Sequence, residues 1–113
     1  AQSAFDAENY IEAAEMLNRF SQTYPDSPLI AEAHLLRGKA FEVVKDYKAS
    51  ARAYLESYNT LKSPDALQRL SNSLISLGQM ETGCQMLSQV ELLFPGTSYA
   101  AAAQSEMQRL QCF

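Results

Sequence analysis

Apolar residues recur along this chain at intervals of three and four, the spacing that gathers them on one face of an α-helix. Tyr47, Ala51, Tyr54, Tyr58 and Leu61 form the clearest such stripe, with small Ser50 beside it. The layout is repeated. Asn9-Tyr10-x-x-Ala13-Ala14-x-x-Leu17 precedes Asp46-Tyr47-x-x-Ser50-Ala51-x-x-Tyr54, and Gln79-Met80-x-x-Gly83-Cys84-x-x-Leu87 follows it, at offsets of 37 and 33 residues. Each block continues at helical spacing to Tyr24, Leu61 or Phe94, and Pro25 and Pro95 close two of the three. The pattern predicts an all-α chain with helices over 10–24, 29–44, 47–61, 64–77, 80–94 and 98–111, and a separate helical remnant at 1–7.

A second kind of helix precedes the later two blocks. His34, Arg37, Gly38, Phe41 and Val44 align with Leu67, Leu70, Ser71, Leu74 and Leu77 at an offset of 33. Gly38 and Ser71 fall in mid-helix, where glycine costs about 1 kcal/mol relative to alanine. Close helix approach explains such residues: Gly38 and Ser71 are expected to face Ser50 and Gly83 on the following helix, letting the two axes of a hairpin come together. A repeated hairpin of this kind matches the tetratricopeptide signature. One copy reads His34-x-x-Arg37-Gly38-x-x-Phe41 with Ser50-x-x-x-Tyr54, and the next reads Leu67-x-x-Leu70-Ser71-x-x-Leu74 with Gly83-x-x-x-Leu87 and Pro95.

The expected architecture is a single tetratricopeptide-type right-handed α-solenoid of antiparallel hairpins, with a partial repeat at 1–27, repeats at 31–63 and 64–97, and a capping helix at 98–111. On the cap, Tyr99, Ala102, Ala103, Met107 and Leu110 form the packed side, opposite Gln104, Ser105, Gln108 and Arg109. Three departures from the signature stand out. Arg37 replaces a large apolar residue, Lys62 stands at the usual Pro position, and Pro28 to Ile30 lengthen the first junction. A start in mid-repeat leaves one apolar side of residues 10–24 uncovered, so weak self-association of this segment is expected.

Composition narrows the functional classes. With 9 Lys+Arg against 13 Asp+Glu the formal charge is −4, which disfavours a polyanionic nucleic-acid partner. No apolar stretch approaches the ~20 residues that span a bilayer, so no direct membrane insertion is expected. His34 is the only histidine, and no Gly-x-Ser-x-Gly turn is present. Carboxylates such as Glu8, Glu12, Glu15, Glu81 and Glu91 are scattered over helix faces and read as solvating positions rather than a catalytic pair. One His and two Cys are too few for an ordinary structural zinc site. The reading is of a non-enzymatic chain with no catalytic residue, no metal ligand set and no cofactor.

Cys84 lies before the Pro95-Gly96 turn and Cys112 after it, at similar height in an antiparallel hairpin. A disulfide closing a 29-residue loop is expected; the other reading is a small core residue at Cys84 and a free thiol at Cys112. The inner surface of the array is expected to be lined by the first helix of each repeat. Glu32, Leu35, Lys39, Glu42 and Val43 project there from one repeat, and Asp65, Gln68, Asn72, Ile75 and Ser76 from the next. This is a peptide-sized groove in which aliphatic residues hold apolar side chains of a partner while Lys39, Gln68 and Asn72 bond its backbone or carboxylates.

Several runs also resemble one family. These are Tyr24-Pro25-Asp26-Ser27-Pro28, Ala31-Glu32-Ala33-His34 leading into Arg37-Gly38-Lys39-Ala40-Phe41, Asp46-Tyr47-Lys48-Ala49-Ser50, and Ser63-Pro64-Asp65-Ala66-Leu67. Together with Ser76-Leu77-Gly78-Gln79, Cys84, Phe94-Pro95 and the late Cys112, they resemble the C-terminal tetratricopeptide domain of the Tol-Pal system accessory family, the YbgF or CpoB cell division coordinators, in its alphaproteobacterial form. The resemblance implies a periplasmic adaptor that binds TolA and, in some bacteria, a peptidoglycan synthase, coordinating wall synthesis with outer-membrane constriction. It also implies a signal peptide and an oligomerising coiled coil ahead of this segment, and an oxidising compartment that suits a disulfide. The Tyr-Pro-x-Ser-Pro junction is shared with the lipoprotein of the outer-membrane assembly machine, and a non-catalytic repeat segment of an enzyme is the other alternative.

Overall fold

The computed structural model describes residues 2–112, with side chains from Asn9 onward. Six helices follow one another: α1 (Gln2–Thr23), α2 (Ile30–Val43), α3 (Tyr47–Thr60), α4 (Pro64–Ser76), α5 (Met80–Leu93) and α6 (Ser98–Leu110). The described residues contain no strand. From α2 onward each helix agrees with the periodicity to within one residue at either end.

The first helix does not. The repeat register predicts a break between 1–7 and 10–24, yet α1 runs unbroken for 22 residues. A turn there would require Glu8 to take the left-handed conformation that Lys45 (φ 64°) and Gly78 (φ 92°) take at the aligned positions. For a residue with a Cβ that conformation costs about 1–2 kcal/mol. No Gly or Pro lies between Gln2 and Tyr24 to interrupt the helical hydrogen bonds, so the helix continues.

The other boundaries are written locally. Asp46, Ser63 and Thr97 cap α3, α4 and α6, each side-chain oxygen accepting the backbone N–H three residues on at 3.1–3.2 Å. Pro64 then sits in the first turn of α4, where its missing N–H has no cost. Lys45, Gly78 and Gln111 close α2, α4 and α6 in the left-handed conformation. The next residue's N–H reaches back five positions in each case: Asp46 to Phe41 at 2.9 Å, Gln79 to Leu74 at 2.9 Å and Cys112 to Met107 at 3.0 Å.

Each helix packs on the next, and α4 also meets α6. The molecule measures 39 × 37 × 21 Å, and the thin dimension has room for two layers of helices roughly 10–12 Å across. Small residues set the closeness. A Cβ placed on Gly38 would lie 2.4 Å from Tyr54 Cε1, so the glycine notch of α2 is filled by the tyrosine ring of α3. The Ser50 hydroxyl meets Ser73 of α4 at 2.8 Å, both residues fully buried. The Ser71–Gly83 approach is as expected: a Cβ placed on Gly83 would lie only 3.3 Å from the Ser71 carbonyl oxygen and 2.5 Å from Ile75 Cγ1.

The interior changes character along the chain. Tyr54, Leu67, Leu70, Leu87 and Val90 form an apolar core across α3, α4 and α5, with Ala103 of α6 against it. At the positions aligned with Leu67 and Leu70, α2 instead carries His34 and Arg37. Arg37, with a side chain only 11% exposed, donates to Glu56 at 3.0 Å and lies 2.9 Å from His34 Nδ1. The departure from the repeat signature at Arg37 is thus a partly buried ion pair between α2 and α3. At the other end, Cys84 of α5 and Cys112 are joined in a disulfide with Cα atoms 5.5 Å apart.

Candidate functional site

Asp65, Gln68, Asn72 and Ser76 recur along α4 at helical spacing, on the side away from Leu67, Leu70 and Ser71, which enter the interior. On α6, Ala102, Glu106 and Arg109 recur at intervals of four and three and turn toward them. Between the two helices lies a cleft of about 350 Å³. Gln68, Asn72 and Ser76 form one wall and Glu106 and Arg109 the other, while Ile75 and Ala102 supply apolar contact.

The polar groups have a useful spacing. Residues four apart on a helix rise by about 6 Å, close to the ~6.6 Å that two residues of an extended chain span. A peptide laid along α4 in extended form therefore meets Gln68, Asn72 and Ser76 at nearly every second residue. The two amides both donate and accept, so they satisfy backbone N–H and C=O alike. Arg109 is ion-paired with Glu106, whose hydrogen bond and charge hold the guanidinium pKa up and leave this wall near neutral.

The ten groove residues expected from the sequence divide. Gln68, Asn72, Ile75 and Ser76 border the cleft together. Ile75 is half-buried, since its side chain also fills the space over Gly83. On α2, Glu32 and Val43 are exposed and Lys39 is half-buried. Leu35 is half-buried and packs in part against the core.

Glu42 and Asp65 serve a different purpose. Glu42 Oε1 accepts the Tyr54 hydroxyl proton at 2.7 Å, and Asp65 Oδ1 accepts from Arg69 Nε at 2.9 Å. Arg69 and the Tyr54 hydroxyl also influence each other's titration, the guanidinium favouring the phenolate and the hydroxyl favouring the charged Arg69. Burial, reinforced by the Glu42 carboxylate, pushes the Tyr54 hydroxyl well above the usual phenol range. Burial works against the Arg69 charge, but Asp65 and Tyr54 outweigh it and its pKa rises. The Glu42–Tyr54 bond ties α2 to α3, while the Asp65–Arg69 pair lies within α4.

Sequence reasoning misses Ala102, Glu106 and Arg109, because a one-sided last helix reads as a solvating cap. Its place as the next even-numbered helix is the available signal. Leu36 also escapes it; 42% exposed, this residue borders an apolar pocket of about 230 Å³ between α1 and α2 with Leu17, Phe20 and Leu29.

His34 lies 3.2 Å from Glu56 Oε2, and burial lowers its pKa against the opposing pull of that carboxylate. The two cysteines are bonded to each other at the α5–α6 end, so neither is a free nucleophile. Among the described residues no group of three or more His, Cys, Asp or Glu is placed to hold a metal ion. No helix of the described residues is long and apolar enough to cross a membrane. The disulfide fits an oxidising, non-cytoplasmic compartment. No protein-family model matches the chain, and no curated protein matches it.

Proposed function

We propose that this chain is a tetratricopeptide-type adaptor that acts by binding another polypeptide in extended form, without making or breaking bonds. The observation that carries the reading is the α4–α6 cleft, whose amide and hydroxyl groups recur at close to the two-residue repeat of an extended chain. The exposed Glu32, Leu36 and Val43 on α2 continue an accessible surface of mixed character. A scaffold whose helices interlock through Gly38, Ser50, Ser71 and Gly83 changes little on binding, so a partner segment bears most of the ordering cost.

The partner proposed is TolA, in the periplasm, with a peptidoglycan synthase as a second client, placing the chain in the Tol-Pal system at cell division. The runs from Tyr24 to Pro28 and from Ser63 to Leu67 support that assignment, and the disulfide suits the compartment. Titration calorimetry with the periplasmic region of TolA tests it. Replacing Asn72 and Lys39 together by Ala, or Gln68 and Asn72 together, is expected to weaken binding about tenfold, roughly 1.4 kcal/mol, with helicity unchanged. Unaltered affinity in both double variants removes the cleft from the proposal.

A further inference from the structure

Three helices of this chain share one register. Ala13, Met16, Leu17 and Phe20 of α1 align with Ser50, Ala53, Tyr54 and Ser57 of α3 at an offset of 37, and these with Gly83, Met86, Leu87 and Val90 of α5 at an offset of 33. On α3 and α5 the preceding helix covers this flank. Gly38 of α2 lies against the Tyr54 ring, and the Ser57 hydroxyl donates to the Ala31 carbonyl at 2.8 Å. Ser71 and Ile75 of α4 close over Gly83 in the same way. Ala53, Tyr54, Leu87 and Val90 are accordingly shut away from solvent. Among the described residues α1 has a packed neighbour on one side only, α2. Its matching flank stays open: Met16 is 63% exposed, and Ala13, Leu17 and Phe20 are half-buried.

The open flank is more apolar than its covered counterpart on α3. Where α3 carries Ser57, α1 carries Phe20. The offset of 33 that relates α2 to α4 puts Leu29 and Leu36 where Lys62 and Arg69 stand, and both leucines are exposed. A surface meant only for water would carry the opposite substitutions. Two adjoining cavities of about 230 and 480 Å³ share Phe20 and Leu29 on this side of α1. Their charged lining residues are Glu32 and Asp26, with no Lys or Arg among them.

We propose that this α1–α2 groove docks one amphipathic α-helix of a separate polypeptide, with a small residue where it crosses Ala13 and Lys or Arg along its edge. The molecule carries the pattern for such a contact. α1 offers Ala13, Leu17 and Phe20 where α5 offers Gly83, Leu87 and Val90, and the cover on α5 is α4, a 13-residue amphipathic helix with Ser71 at the crossing. A docked helix continues the stack by one place and buries Met16, Leu29 and Leu36, as an amphipathic helix does in an apolar groove. Glu32 and Asp26 favour a basic edge on the occupant. A second copy of this chain brings the same two carboxylates and a net charge of −4, so contact between copies stays weak. The groove is separate from the α4–α6 cleft, and its occupant is helical rather than extended.

The test uses a fluorescein-labelled, end-capped peptide with the sequence of residues 63–78, in which Asp65→Lys makes the net charge positive. The full chain is titrated into it and binding is read by fluorescence anisotropy. Saturable one-to-one binding is expected. Met16→Gln combined with Leu36→Gln in the chain is expected to weaken it at least tenfold, and so is Ser71→Leu in the peptide, which fills the notch. Leu92→Gln on the outward side of α5 should leave it unchanged, with circular dichroism of both chain variants matching the parent. Absence of saturable binding overturns the proposal, as does an affinity indifferent to the double variant or to Ser71→Leu. A chain dimer that the double variant disperses and the peptide does not displace, seen by sedimentation, gives the groove to a second copy and overturns it equally.

Discussion

Replacing Gly38 by Ala pits helix propensity against packing. In an isolated helix the change stabilises by about 1 kcal/mol. Here the new methyl would sit 2.4 Å from Tyr54 Cε1 and 2.5 Å from Cδ1, against an optimum of roughly 3.5–4.0 Å. The ring cannot swing aside freely. Tyr54 is fully buried, and its hydroxyl is bound to Glu42 at 2.7 Å. Overpacking of a well-filled core costs about 1–3 kcal/mol, and a weakened hydrogen bond to a charged group adds about 1.5–3 kcal/mol. Taking about 3 kcal/mol for these together and subtracting the helix gain, Gly38→Ala is expected to destabilise by about 2 kcal/mol. Thermal unfolding followed by circular dichroism should show a Tm lower by roughly 8–10 °C. The decisive control is the same substitution in a Tyr54→Leu background, where the obstacle is gone. There Gly38→Ala should be neutral or stabilising, so the effect reverses sign across the cycle. A raised Tm in the parent background, or equal shifts in the two backgrounds, refutes the interlock.

Further expectations follow from other parts of the molecule. Removing the disulfide by Cys84→Ser with Cys112→Ser frees a loop spanning 28 positions and should lower stability by about 3.5 kcal/mol, measured by urea unfolding; an unchanged midpoint contradicts this. His34 is held neutral, with its pKa below 6.5, so the unfolded chain binds more protons in the window just below that value. Stability should therefore fall as pH drops from about 6.5 toward 5, and His34→Gln should flatten that part of the profile; an identical slope in the variant sinks the assignment. Tyr10, Ile11 and Met16 of α1 are 41%, 44% and 63% exposed, so sedimentation equilibrium should reveal concentration-dependent self-association, suppressed by Met16→Glu. Strictly monomeric behaviour at high concentration contradicts it.

The periodic part of this chain is legible because its signals are local. Asp46, Ser63 and Thr97 sit at the N-caps where side-chain acceptors belong, Gly78 closes α4, and the small residues mark where helices cross. The unity of α1 is not legible, since the repeat register argues for a turn at Glu8 while the helix-compatible residues around it favour continuation. Side-chain direction is the second blind spot. Leu35 and Glu42 lie on the same face of α2 as Lys39, four positions before it and three after, yet Leu35 packs against the core and Glu42 bonds Tyr54, contacts decided by where the other helices are placed. Arg109 is hidden for a different reason: an exposed Arg on an amphipathic last helix looks like solvation until α4 is placed opposite it.

The central claim is that the cleft between α4 and α6 receives an extended polypeptide. Amide NMR of the isotope-labelled, oxidised chain during titration with the periplasmic region of TolA tests it residue by residue. The account predicts that shifts concentrate at Gln68, Asn72, Ser76, Ala102 and Arg109, while the outward positions Leu55 of α3 and Leu92 of α5 stay still. Perturbations confined to α3 and α5, with the cleft silent at saturating partner, would contradict it.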